Sequence, residues 1–329
     1  MGDPKCLICL QGLSETDFSG YHRDCCRQLF GRSEAPVLPY SWDGLNALAE
    51  QVVRRHVAVP GVQPKLSLHL ESGRNEHGRL TLVGLEGDYI LKAPVLRYPE
   101  MPELEHVTMR MARVLGIATC ECGLIRLEGR QLAFIARRMD RTKNAKLQME
   151  DMCQLTDRLT ERKYAGSMEQ VGKVVLRHCQ NSLFDVLRLF ELTIFCFLTG
   201  NADMHLKNCS LLYPLGGAVQ LAPAYDLLPT ALLLPEDQEE SALTINGKKR
   251  RLSWDDFVVF GRHLHLTDKQ ITNVYKRIDN QLPAAMCLLD SGYCSSEVLD
   301  RYKVLLLGRA ARLGMLCAQQ CLSEVAGVR

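Results

Sequence analysis

At 329 residues the chain is long enough for about two domains or lobes, and its 47% hydrophobic and 24% charged residues are ordinary for a globular protein. A formal charge of +2 gives no overall reason to expect direct nucleic-acid binding, and the apolar runs are too short for a membrane span. No signal peptide is visible, so the fourteen cysteines read as reduced thiols of a cytoplasmic protein, some of them available to a metal.

Residues 1–34 form a Cys/His-rich stretch. Cys6-Leu7-Ile8-Cys9 and His22-Arg23-Asp24-Cys25 are two close ligand pairs separated by a loop, the layout of a structural zinc knuckle, with Cys26 as an alternative ligand. In so short a segment a metal is expected to replace a core. Chance proximity in a cysteine-rich chain is the competing explanation.

Residues 35–140 read as a small mixed unit. Trp42 to His56 has helical apolar spacing, and Val59 to Lys65 is a Gly-containing loop that opens onto a strand, Leu66 to Leu70. Such a loop can present backbone N–H groups to phosphates, although most Pro-Gly pairs are plain turns. Leu80 to Leu85 and Tyr89 to Lys92 are expected to form a hairpin across Glu86-Gly87-Asp88. A helix over Glu103 to Leu115 follows, stopped by Gly116, and its Glu105 is placed to pair with Lys92. Leu132 to Ile135 is a short strand leading into Arg137-Arg138-Met139-Asp140.

Residues 141–329 read as mostly helical. Helices are expected over Glu150 to Arg158, Ser167 to Cys179, Leu183 to Leu198, Trp254 to Arg262, Asp268 to Leu282 and Ser295 to Glu324. Ser210 to Tyr213 and Ala218 to Leu221 suggest a hairpin through Gly216-Gly217.

The chemistry concentrates in Gly200-Asn201-Ala202-Asp203-Met204-His205-Leu206-Lys207-Asn208 and in Tyr225-Asp226. A carboxylate and an amide five residues apart, a lysine between them and a second carboxylate after a strand suit phosphoryl transfer. One carboxylate takes the hydroxyl proton, the lysine steadies the moving group, and the amide with the second carboxylate holds Mg²⁺. Asn, Asp and Gly also populate ordinary turns, and Asp226 before Leu227 could be a helix cap.

Taken together, Gly61-Val62-Gln63-Pro64-Lys65-Leu66-Ser67, Tyr89-Ile90-Leu91-Lys92, Arg137-Arg138-Met139-Asp140-Arg141, the Gly200–Asn208 stretch and Pro223-Ala224-Tyr225-Asp226-Leu227 resemble the HipA-like serine/threonine kinases of bacterial toxin–antitoxin systems. The resemblance runs from about residue 36 into the C-terminal helices. The short N-terminal region and Leu243 to Lys249 are most similar to the HipT-type toxins of HipBST systems.

It implies an α+β, two-lobed protein-kinase-like fold, with the nucleotide in a cleft between a small mixed N-lobe and a mostly helical C-lobe. It implies Asp203 as catalytic aspartate with Lys207, and Asn208 and Asp226 as Mg²⁺ ligands. Pro60, Gly61, Val62, Gln63, Pro64 and Lys65 become the phosphate loop and Lys92 a phosphate contact. Arg138, Met139 and Asp140 become the hinge, with His205 and Tyr225 also beside the nucleotide. ATP and Mg²⁺ are the implied cofactors, with Zn²⁺ a separate candidate at Cys6, Cys9, His22 and Cys25. The implied partners are a protein substrate such as an aminoacyl-tRNA synthetase, and antitoxins of HipS and HipB type. One departure stands out. Family members carry autophosphorylated serines in the phosphate loop, where this chain has Ala58 and Pro60.

Overall fold

The computed structural model describes residues 4–14, 19–45, 47, 65–71, 78–84, 86–129, 131–142 and 145–316. Contacts divide the chain into two compact units. The first comprises Met1–Arg110, Cys120–Arg141 and Ser291–Ser295; the second comprises Met111–Thr119, Thr142–Asp290 and Ser296–Arg329.

The first unit is built on a five-stranded antiparallel sheet. Its strands are β1 (Lys65–Glu71), β2 (Arg79–Val83), β3 (Tyr89–Lys92), β4 (Cys122–Arg126) and β5 (Leu132–Arg137), in the order β2-β1-β3-β5-β4. Alternation in β1 buries Leu66 and Leu68 while Lys65 and His69 face solvent. The expected hairpin between β2 and β3 does not form. Both strands pair instead with β1, which lies between them: Leu68 is opposite Leu82 on one side and Tyr89 on the other. Gly87 shows why. Its N–H donates to Ser67 Oγ at 3.0 Å, and a Cβ there would sit 2.4 Å from the Leu68 carbonyl oxygen, so the connection crosses against β1.

Helices α1 (Arg23–Phe30) and α2 (Met101–Val114, its residues to Arg110 in this unit) complete the layer. Gly31, at φ +70°, ends α1. The N-terminal segment has more core than its length predicts. Leu7, Leu29 and Phe30 are buried in the same cluster as Leu68, Leu91 and Ile135. Its backbone also meets both outer strands: the Leu7 carbonyl accepts Leu124 N–H at 2.8 Å on β4, and the Val37 carbonyl accepts Leu80 N–H at 2.9 Å on β2.

In the second unit, β6 (Gln148–Asp151), β7 (Ser210–Tyr213) and β8 (Gln220–Leu221) form a small antiparallel sheet, with the β7–β8 hairpin turning where the glycine pair predicts. Its helices are α3 (Met152–Leu155), α4 (Met168–His178), α5 (Ser182–Thr199), α6 (Thr230–Leu233), α7 (Trp254–His263), α8 (Asp268–Leu289) and α9 (Ser296–Arg312). The helix expected over Glu150 to Arg158 is a correction. Residues 148–151 pair with β7, and only one helical turn follows, started by a capping box in which Asp151 accepts Gln154 N–H at 3.0 Å.

Caps at Ser167 and Thr267 begin α4 and α8 as their sequences predict. Helix α8 continues through Pro283 to Leu289, beyond the expected end at Leu282, because Leu282, Ala285 and Leu289 all stay buried along one face. Helix α9 ends at Arg312, with Gly314 at φ +77° interrupting the helix expected over Ser295 to Glu324, whose residues 317–324 lie outside the described residues. The helix expected over Trp42 to His56 lies largely, and the expected phosphate loop through Pro64 wholly, outside the described residues.

Candidate functional site

Helix α5 delivers the Asp203 loop. Most of its side chains are buried, and it ends at Gly200 with φ +71°, a left-handed turn that glycine takes without a Cβ clash. The buried Asn201 then accepts Asp203 N–H on its side-chain oxygen at 3.0 Å, and Thr230 Oγ1 accepts Ala202 N–H at 2.9 Å. These bonds fix the backbone under Asp203.

The Asp203 side chain is 44% exposed, open enough to meet an incoming hydroxyl. Tyr164 donates to its Oδ1 at 2.6 Å, and the buried His205 lies 3.9 Å from Oδ2. Burial holds His205 below the ordinary imidazole pKa, although the Asp203 charge pulls the other way. Burial, helped by the bond to Asp203, keeps the Tyr164 phenol protonated. Asn208, itself buried, donates through Nδ2 to the Asp203 carbonyl at 2.9 Å. That orientation commits its amide nitrogen and turns the side-chain oxygen elsewhere.

Lys207 pairs with Asp151 at 2.7 Å, and its carbonyl accepts the Tyr225 phenol at 2.9 Å. Tyr225 in turn accepts from Ser210 at 2.6 Å, which ties the Asp203 loop to the residue before Asp226. Asp226 takes φ +58°, a strained choice for a side chain with a Cβ, and its charge is felt at His205. The second unit therefore gathers Asp203, His205, Lys207, Asn208 and Tyr225, with Asp226 next in the chain. Tyr164 and Asp151 were not legible as site residues. Nothing local marks Tyr164, whereas the Asp-x-x-Gln capping pattern could have flagged Asp151.

The first unit holds the remaining nucleotide-site candidates. Lys92 Nζ bonds both oxygens of Glu105, at 2.6 and 2.8 Å, with the two side chains only 7% and 1% exposed. The pairing expected from sequence is thus present, and the Phe134 ring lies under the ammonium at 5.4 Å. Lys65, the one described residue of the expected phosphate loop, is the cross-strand partner of Lys92. Arg138 grips Asp140 through two bonds, at 2.9 and 2.8 Å, and Arg141 adds a third at 2.6 Å. Burial opposes the Asp140 charge, and the two arginines outweigh it, holding its carboxyl below the ordinary range. Met139 is half-buried between them.

The same unit assembles Cys6, Cys9, His22 and Cys25, whose ligand atoms all lie within 4.8 Å of one another. Hydrogen bonding from Cys25 and Cys9 holds the Cys6 thiol far below the ordinary thiol pKa, and Cys6 pushes Cys25 up. Cys26 is not part of the group; it is buried in the core, where desolvation raises its pKa to about 12.

The comparisons with known proteins bear on the α+β fold and on the family. Residues 57–286 match the HipA-like C-terminal domain, and the chain belongs to that family. It is 31% identical over 295 residues to a Haemophilus influenzae protein named "Putative kinase", spanning 81% of this chain and 84% of that one. It is 24% identical over 301 residues to the serine/threonine-protein kinase toxin HipA of Shewanella oneidensis, covering 82% of this chain and 65% of HipA. The solved Shewanella oneidensis HipA–HipB–operator DNA complex superposes at a TM-score of 0.64 with 23% identity, over 80% of this chain and 70% of that one.

Proposed function

We propose that the protein is an Mg²⁺- and ATP-dependent serine/threonine protein kinase, the toxin of a HipBST-type module. Its proposed substrate is a translation component such as an aminoacyl-tRNA synthetase. The observation that carries this reading is the Asn201–Asn208 loop. It holds one half-exposed carboxylate against Tyr164 and ties an amide five residues on to that carboxylate's own backbone.

In this reading Asp203 receives the acceptor hydroxyl's proton on Oδ2, because Oδ1 already accepts from Tyr164. Lys207, steadied by Asp151, orients the transferred phosphoryl group. His205 stays neutral beside Asp203 and so does not compete for it as a cation. Tyr225 holds the Lys207 backbone in place.

The donors fit magnesium, since the Asn208 amide oxygen and the Asp226 carboxylate are hard oxygen ligands and the Asn208 nitrogen is already committed. When bound, Mg²⁺ and ATP supply the phosphoryl group and neutralise charge upon it. Lys92, oriented by Glu105, and Pro60 to Lys65 would face the phosphates, and Arg138, Met139 and Asp140 would form the hinge around adenine. The HipA relative solved with HipB supports a HipB-type antitoxin as partner, beside one of HipS type.

The test is phosphate transfer from γ-labelled ATP with Mg²⁺ into a bacterial lysate, comparing wild type with Asp203→Asn. We expect a discrete labelled protein whose signal falls by roughly 10²–10⁴-fold in the variant, the contribution of a positioned base. Equal labelling by the variant would remove Asp203 from the chemistry. Label confined to lipid or small molecules would assign another kinase class, and no Asp203-dependent label despite ATP binding would leave a non-catalytic module.

A further inference from the structure

We propose that Cys6, Cys9, His22 and Cys25 form a tetrahedral structural zinc site that fastens the N-terminal knuckle onto strand β4 and helix α2. The site stands apart from the kinase reading, because its ligands lie outside the residues that match the family domain.

The geometry is that of a chelate. Zinc bonds of about 2.3 Å to sulfur and 2.0 Å to nitrogen place tetrahedral ligand atoms roughly 3.5–3.8 Å apart. Here the four atoms fall within 4.8 Å of one another, with Cys9 Sγ 3.3 Å and Cys25 Sγ 4.0 Å from His22 Nδ1. The other imidazole nitrogen, Nε2, lies 3.0 Å from the Gly12 carbonyl oxygen. A carbonyl can only accept, so the ring proton is on Nε2 and the Nδ1 lone pair faces the sulfurs. An outer bond of this kind commonly sets the tautomer of a metal-bound histidine.

Cys6 Sγ receives two backbone N–H groups, from Ile8 and His22, both at 3.5 Å, which stabilise a thiolate. Three thiolates and an imidazole select zinc over the hard cations that carboxylates hold. Four protein ligands leave no coordination position open, so the ion is structural.

The knuckle bears on the rest of its unit through two backbone oxygens inside the Cys6–Cys9 turn. Leu7 O accepts Leu124 N–H at 2.8 Å on β4. Ile8 O lies 2.9 Å from Nε2 of the buried His106 on α2, the neighbour of the Glu105 that pairs with Lys92. The turn sits so close to β4 that a Cβ on Gly123 would be 2.7 Å from Ile8 Cγ1. A metal that fixes this turn therefore fixes the strand and the helix it touches.

The test is metal analysis of the full chain, followed by exchange with zinc alone and with cobalt alone. We expect one zinc per chain, and tetrahedral cobalt absorption with thiolate charge transfer in the substituted protein. Cys9→Ser and Cys25→Ser should bind at least tenfold less tightly, whereas Cys26→Ser keeps full occupancy. Hydrogen exchange on wild type with and without chelator needs no variant to fold. Protection at Leu124 should fall on zinc removal while that of strand β7 holds. Less than a tenth of an equivalent of zinc after reconstitution would overturn the site, as would a Cys6–Cys9 disulfide in freshly purified protein. Unchanged Leu124 protection after chelation would overturn the fastening.

Discussion

Asp256 keeps its charge in the interior, where burial alone would neutralise it. Its Oδ1 accepts from Lys248 at 2.8 Å and from Asn246 at 2.9 Å, and its Oδ2 accepts Ser253 N–H at 2.9 Å. Desolvation opposes the charge, and these donors outweigh it, lowering the pKa to about 2. A carboxyl whose folded pKa lies below its unfolded value stabilises the fold above the unfolded pKa and loses that contribution as pH falls. The window therefore runs from about pH 4 down to pH 2, and the loss is about 2 kcal/mol. Urea unfolding between pH 5 and pH 2.5 should show a steeper decline for wild type than for Asp256→Asn, which has no such proton to take up. Parallel curves would mean that the contacts around Asp256 do not favour its charge. The same carboxylate holds Asn246 and Lys248, so the Leu243–Lys249 segment is anchored to the N-terminus of α7.

At the level of elements, what could be read from sequence was set by local signals. Helix α5 declares itself through an apolar run closed by Gly200, α4 and α8 through their caps, and the β7–β8 hairpin through its glycine pair. The departures from expectation, one strand in place of a helix and one different strand pairing, depend on distant partners. β6 becomes a strand only because β7, some sixty residues on, offers an edge, and β1 separates β2 from β3 by pairing with both. The site follows the same division. Asp203, Lys207 and Asn208 stand out as candidates because they are close in sequence, whereas Tyr164 reaches Asp203 from another loop and carries no such signal. Gly200 offers a direct test of the element that presents them. An added Cβ would meet Leu305 Cδ2 at 2.7 Å and Ala231 Cβ at 3.0 Å, at a backbone angle that already disfavours it. Gly200→Ala should cost about 1–2 kcal/mol in urea unfolding from backbone strain alone, before any repacking. A neutral result would show that the α5 terminus relaxes freely.

Across the whole molecule, the candidate site residues stand out because they occur as short runs, and the assembly of the first unit does not. Leu7 meets Leu124 and Val37 meets Leu80 across long stretches of chain, with no periodicity to announce either pairing. These two contacts fall on the two outermost strands of the five-stranded sheet, β4 and β2. Tyr21 also donates to the Leu124 carbonyl at 2.9 Å, so both outward backbone groups of that residue are satisfied. An open strand edge is a template for pairing with another copy. The described part of the first forty residues therefore covers backbone groups on both edge strands that would otherwise be open to another copy. Removing residues 1–40 should turn a well-behaved chain into one that forms concentration-dependent oligomers by light scattering, with β-rich aggregates on standing. A truncated chain that stayed monodisperse would show that the sheet protects its own edges.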